Sequence, residues 1–129
     1  MNPPLLLVID DEKGVRESLR MVFSKDFRIL EADSVDAALP QVRQEKPAVV
    51  LLDLLMPKTD GMEVLRQIKA IHPQCEVIML TAVSSKHAAV KALECGAFDF
   101  VAKPFDVIDL REKVEKALRK VAEKTQLPS

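Results

Sequence analysis

The chain has 129 residues, 48% of them apolar and 30% charged, with a formal net charge of -1. That length suits one domain with a proper core and leaves too little for two comfortable ones. Interspersed, near-neutral charge argues against a nucleic-acid-binding face, which would carry a basic patch or stripe.

Met1-Asn2-Pro3-Pro4 carries no positive charge and flows into a short apolar run, so no signal peptide is read there. No apolar run approaches membrane-spanning length. Cys75 and Cys95 have neither CxxC spacing nor nearby ligand partners, which predicts reduced thiols. The expected location is therefore cytoplasmic.

Leu5-Leu6-Leu7-Val8-Ile9 is a short apolar run that ends in acids, Asp10, Asp11 and Glu12. Val15, Leu19, Val22 and Phe23 then recur at helical spacing. Phe27 to Ala32 alternates apolar with polar and predicts a more exposed strand near one edge. Val35, Ala38, Leu39 and Val42 form one helical face, with Asp33 or Ser34 as N-cap. Pro40 falls inside this helix and predicts a kink.

Val49-Val50-Leu51-Leu52 stops on Asp53, and Pro57 with Lys58-Thr59-Asp60-Gly61 makes a turn. A continuous apolar run bounded by turn signals reads as a strand buried on both faces. Asp60 and Glu63 look like a capping box for a helix reaching about Ile71, which Pro73 stops. Glu76 to Thr81 is the fourth strand. Ser84 or Ser85 caps an alanine-rich helix to Cys95, with Gly96 as its stop. Phe98 to Ala102 is the fifth strand, ending at Lys103-Pro104. Asp106 caps a last helix with a stripe of Leu110, Val114, Ala117, Leu118 and Val121. Residues 1–123 are read as the domain, and 124–129 as a polar tail or the start of a linker.

Five repeats of strand then helix imply an α/β fold with parallel strands and right-handed crossovers. The three most apolar strands, first, third and fourth, belong in the middle of the sheet. This predicts a five-stranded, doubly wound, flavodoxin-like order with a switch point between strands one and three.

The residues that end the strands are Asp10 and Asp11, Asp53, Thr81 and Lys103; the second strand contributes nothing of note. Three carboxylates converging at the switch point demand a cation. An all-oxygen set suits a hard ion such as Mg²⁺. Asp as nucleophile, with Mg²⁺ and Lys to neutralise phosphoryl oxygens, makes a phosphoryl-transfer site. Taken singly, each residue has an ordinary reading as helix cap, strand end or solvated charge. Their joint placement at one sheet edge carries the argument.

Asp10-Asp11-Glu12, Asp53-Leu54-Leu55-Met56-Pro57 with Asp60-Gly61, Thr81-Ala82 and Gly96-Ala97-Phe98-Asp99-Phe100-Val101-Ala102-Lys103-Pro104-Phe105 occur in order. Together they resemble the response-regulator receiver domain of two-component signalling, from Leu5 to about Val121. The resemblance implies that Asp53 accepts a phosphoryl group from the phosphohistidine of a sensor histidine kinase. It implies that Asp10, Asp11, Asp53 and the Leu55 carbonyl bind Mg²⁺, and that Lys103 contacts the phosphoryl group. It further implies a cis Lys103-Pro104 bond, an activating hydroxyl at Thr81 and a switch aromatic at Phe100.

The face then altered would be the fourth helix, fifth strand and fifth helix, where a partner, a second protomer or an output domain binds. Phe100 replaces the commoner tyrosine, so contacts that need a phenolic hydroxyl are unavailable. Leu55 and Val83 are apolar where the family tunes phosphoryl lifetime. The Gly96–Phe100 segment most resembles receivers of enhancer-binding transcription activators.

His72 and His87 lie in polar segments with no carboxylate orienter, so neither is read as a phosphodonor. An aspartate-nucleophile phosphatase would use the same acids, but Leu55 stands where its second Asp would be. A flavin carrier would need a phosphate loop after strand one and a stacking Trp or Tyr; the chain has neither residue. An interaction module that never accepts phosphate would not need the intact set of five.

Overall fold

The computed structural model describes residues 3–82 and 85–126. The elements alternate as β1 (Leu5–Ile9), α1 (Lys13–Phe23), β2 (Arg28–Ala32), α2 (Val35–Glu45) and β3 (Val49–Leu52). They continue as α3 (Gly61–Ile71), β4 (Glu76–Thr81), α4 (Lys86–Glu94), β5 (Asp99–Ala102) and α5 (Val107–Gln126). The strands form one parallel sheet in the order β2-β1-β3-β4-β5. This is the doubly wound, flavodoxin-like arrangement that the strand pattern predicts, with the mixed strand β2 at an edge.

Alternation along each strand sends neighbouring residues into two separate cores. Leu7, Ile9, Val50, Leu52, Val77 and Met79 pack with Ala38 and Val42 of α2, Leu65 and Ile68 of α3, and Ala92 of α4. Leu6, Val8, Leu51, Ile78 and Leu80 pack on the other side with Leu19 and Phe23 of α1 and Leu110, Val114 and Ala117 of α5. Every residue of β3 and β4 is buried, which is why those strands show no polar alternation.

Helix starts follow local chemistry. Ser34 Oγ accepts from Ala37 N at 3.2 Å, and Ser85 Oγ from Ala88 N at 3.1 Å. Asp106 Oδ1 accepts from Ile108 N and Asp109 N at 2.8 and 3.1 Å. Asp60 caps α3 through the amides of Met62 and Glu63, while the Glu63 carboxylate turns to Arg66 at 3.3 Å. Ser84 and Val83 lie outside the described residues. Gly61 is required by close approach: a Cβ there would sit 2.7 Å from the Leu54 carbonyl oxygen.

Two element boundaries differ from expectation, while α2 keeps Pro40 inside one helix as read from the sequence; Pro40 is exposed, and so is Asp36, whose carbonyl finds no amide at Pro40. Gln41 Nε2 donates to the neighbouring Ala37 carbonyl at 3.1 Å. β5 begins at Asp99 rather than Phe98, although Phe98 N already bonds to Val77 O at 2.7 Å. α5 runs to Gln126, into the stretch expected to be a polar tail, and residues 127–129 lie outside the described residues.

The reason for that length is at the amino end of the sheet. Glu76, at the start of β4, is 2% exposed. Its Oε1 lies 3.5 Å from Lys69 Nζ, and its Oε2 lies 3.3 Å from Lys120 Nζ and 3.1 Å from Lys124 Nζ. The two contacts to Oε2 are ion pairs without strict hydrogen-bond alignment. Burial by itself would raise the Glu76 carboxyl; the close ammonium of Lys124, then the charges of Lys69 and Lys120, hold it below the ordinary 4.5. Two lysines one turn apart thus clamp the end of α5 to the central sheet. Both cysteines are free, and burial pushes the Cys75 thiol up to about 11, an inert core residue.

Glu76→Gln should lower the unfolding free energy by roughly 1–3 kcal/mol at neutral pH in urea titrations, as for a hydrogen-bonded or paired charge that is lost. Because the native carboxyl is held low, its contribution is present above pH 4.5 and is lost as pH falls through its depressed value. The gap between wild type and variant should therefore close in acid. A gap independent of pH would contradict the clamp.

Candidate functional site

β1 and β3 are neighbours, with Ile9 paired to Leu52, so the next residues, Asp10 and Asp53, leave the sheet side by side. Asp53 N bonds to Ile9 O at 3.0 Å, and Asp10 N to Ala32 O at 3.1 Å, which fixes both Cα atoms. The two side chains are buried, Asp10 at 2% and Asp53 at 3% exposure, whereas Asp11 is exposed. Ligand oxygens of Asp10, Asp11 and Asp53 all lie within 4.8 Å of one another.

Lys103 arrives from the far side of the sheet. Its amide donates to Thr81 O at 2.7 Å, and the Lys103–Pro104 peptide is cis. Its ammonium meets Asp10 Oδ2 at 2.8 Å and Asp53 Oδ2 at 3.3 Å, with Glu12 Oε1 at 3.6 Å. The other oxygens of the two acids turn to backbone: Asp10 Oδ1 accepts from Glu12 N, and Asp53 Oδ1 from Leu55 N, both at 2.9 Å. Burial alone would lower the Lys103 ammonium, but the hydrogen bond and charge of Asp10, then those of Asp53, hold it above 10.5.

Three carboxylates against one ammonium leave two negative charges uncompensated. The donors are all oxygen, with no His or thiolate among them, which fits a hard divalent cation.

Thr81 ends β4, fully buried, two residues after Met79, to which Phe100 of β5 is paired. Phe100 is partly buried against the core that faces α2, α3 and α4. By strand alternation, Thr81 and Phe100 point to that same face. The structure thus brings Asp10, Asp11, Asp53 and Lys103 into one cluster, with Thr81 and Phe100 on the adjoining strands. Leu55 joins through its amide, and its side chain is 54% exposed at the rim. A groove of about 390 Å³ between α2 and α3 is lined by none of these residues.

The model of the response regulator receiver domain family matches residues 6–115. The chain belongs to that family. The receiver domain is similar to Regulatory protein AtoC of Escherichia coli (strain K12), 38% identical over 115 residues, 88% of this chain and 25% of that protein. It is similar to Sporulation initiation phosphotransferase F of Bacillus subtilis (strain 168), 37% identical over 114 residues, 88% of this chain and 92% of that protein. A solved response regulator receiver domain protein from Clostridium thermocellum superposes with a TM-score of 0.86 at 31% identity, over 96% of this chain and 99% of that one. The chain therefore spans a quarter of one relative and nearly all of another. As a receiver domain, it is a phosphoryl-accepting switch of two-component signalling.

Contrary to the expectation from sequence, β2 does contribute. Its Ala32 carbonyl holds Asp10 N, and its Glu31 pairs with Arg16 of α1 at 3.2 Å. Arg16 Nη1 in turn donates to the Asp10 carbonyl at 2.7 Å. Neither residue carries a local signal, because a charge on a helix or an edge strand reads as a solvated one.

Lys103→Met should cost about 2–4 kcal/mol in divalent-free buffer, since it strips two nearly buried carboxylates of their shared counter-charge. The native ammonium is raised, so this contribution is intact at neutral pH and fades only as pH climbs through that raised value. Chemical denaturation of the two proteins at pH 7 checks it; equal stability would contradict the ion-pair geometry.

Proposed function

We propose that Asp53 is the phosphoacceptor of this receiver domain and takes its phosphoryl group from the phosphohistidine of a sensor histidine kinase. The observation that carries this is a carboxylate at the end of the central strand β3, 3% exposed, facing the Lys103 ammonium at 3.3 Å beside two further acids. An Asp53 oxygen attacks phosphorus, the phosphorus–nitrogen bond breaks, and the departing imidazole nitrogen takes up a proton. Lys103 offers its charge to the phosphoryl oxygens. Asp10, Asp11, Asp53 and the Leu55 carbonyl would hold Mg²⁺, which supplies, when bound, positive charge beside the oxygens of a loose transition state. The domain then catalyses only its own phosphorylation and dephosphorylation.

The phosphoryl group adds charge and acceptor oxygens beside Thr81, and the Thr81 hydroxyl turns toward them while Phe100 moves inward. The response is read on the face of α4, β5 and α5, where Val90, Leu93 and Ile108 are exposed at 45%, 49% and 72%. This face meets an output domain or a second protomer. The similarity to Regulatory protein AtoC, of which this chain covers a quarter, supports an output domain beyond the receiver in the intact protein. No described helix is long and apolar enough to cross a membrane. A cytoplasmic site of action goes with the kinase reading.

The test is the intact mass of wild type and Asp53→Asn after incubation with a small-molecule phosphodonor, with and without Mg²⁺. One alkali-labile phosphoryl group, only on wild type and only with Mg²⁺, is expected. An equally modified Asp53→Asn, or an unmodified wild type beside a control receiver that reacts, overturns the proposal. Thr81→Ala should still take the group, but amide resonances of α4, β5 and α5 should then stay where they were.

A further inference from the structure

We propose that Arg16 is a positioning residue for the metal-binding acids, holding Asp11 in place through the peptide that joins it to Asp10. The inference deepens the reading of the acid cluster as a Mg²⁺ site and rests on that reading.

The cluster has an asymmetry. Asp10 is pinned by Lys103 and by the Glu12 amide, and Asp53 by Lys103 and the Leu55 amide. Asp11 is exposed, and what places it is the plane of the Asp10–Asp11 peptide. Its carboxylate lies within 4.8 Å of two others, and like-charge repulsion favours swinging it outward into water. Some opposing force must fix that peptide plane.

Arg16 supplies it. Nη1 donates to the Asp10 carbonyl at 2.7 Å, while the Asp10 amide, on the preceding peptide, bonds to Ala32 O at 3.1 Å. The turn is gripped on both sides. Arg16 is itself held: its Nε meets Glu31 Oε1 at 3.2 Å, and its side chain is 14% exposed. The second Glu31 oxygen takes Arg20 Nε at 2.7 Å, so the carboxylate cannot rotate away. The chain of contacts runs from β2, through Glu31 and Arg16 on α1, to the turn that carries Asp11. Arg's planar fork allows it to serve the carboxylate and the carbonyl together, which the single ammonium of Lys does less well.

Charge and geometry make opposite demands here. As a mere positive charge near the site, Arg16 would repel a cation, and its removal would tighten Mg²⁺ binding. As a positioning residue, its removal lets Asp11 leave the cluster and weakens binding, in the range seen when outer partners of metal ligands are lost.

The experiment is a calorimetric titration with Mg²⁺ alone on wild type, Arg16→Ala, Asp11→Asn and the double variant, with thermal melts to establish folding. Arg16→Ala should weaken Mg²⁺ binding about tenfold. In the Asp11→Asn background the same change should cost less than about twofold, because the residue being positioned has lost its role. Arg16→Lys should recover part of the affinity. If Arg16→Ala does not fold, Glu31→Gln takes its place and should weaken binding severalfold by freeing the guanidinium.

Unchanged or tighter Mg²⁺ binding in a folded Arg16→Ala, or an equal loss in both backgrounds, overturns the assignment while leaving the metal site standing. A wild type that takes no Mg²⁺ overturns both.

Discussion

Three carboxylates meet at the carboxyl edge of this sheet with one ammonium among them, and the fold must hold that excess of negative charge together. Asp10 and Asp53 cannot escape into water, because the backbone of β1 and β3 delivers them side by side into nearly complete burial. Lys103 compensates both and is therefore bound more strongly than an ordinary surface lysine. The negative charge that remains uncompensated attracts a divalent cation. Stability given up at a functional site is a common trade, and here its physical form is like-charge repulsion.

The rest of the molecule supplies the rigidity that this arrangement needs. Two apolar cores grip the sheet from opposite sides, so the central strands cannot slide without exposing one of them. Gly61 lets the start of α3 close onto Leu54, next to Asp53. At the opposite pole, Glu76 and its lysines tie the end of α5 to the same sheet.

Much of this is legible in the sequence, for a physical reason. In a parallel sheet every strand end falls on one edge, so reading the residue after each apolar run lists the site: Asp10, Asp53, Thr81 and Lys103. Caps such as Asp60, Ser85 and Asp106 are equally local, since a side chain bonds amides two or three residues on. The chemistry that escaped is long-range and charged. Arg16 and Glu31 are fifteen residues apart on different elements, and Glu76 meets lysines of α3 and α5. No periodicity marks such pairs, and a charge on a helix face reads as solvated until the fold brings its partner. The reach of α5 has the same cause: Lys124 belongs to a polar stretch by composition and to the clamp by contact.

Excess negative charge around Asp53, held against its own repulsion, is what would draw a cation to this edge of the sheet. The most direct measurement is the unfolding free energy of wild type and Asp53→Asn, in chelated buffer and again with Mg²⁺. Lowering the excess negative charge of the cluster by one should leave Asp53→Asn at least as stable as wild type without metal, and Mg²⁺ should stabilise wild type markedly more than the variant. If Asp53→Asn is the less stable protein in chelated buffer and Mg²⁺ lifts both equally, charge repulsion does not govern this site.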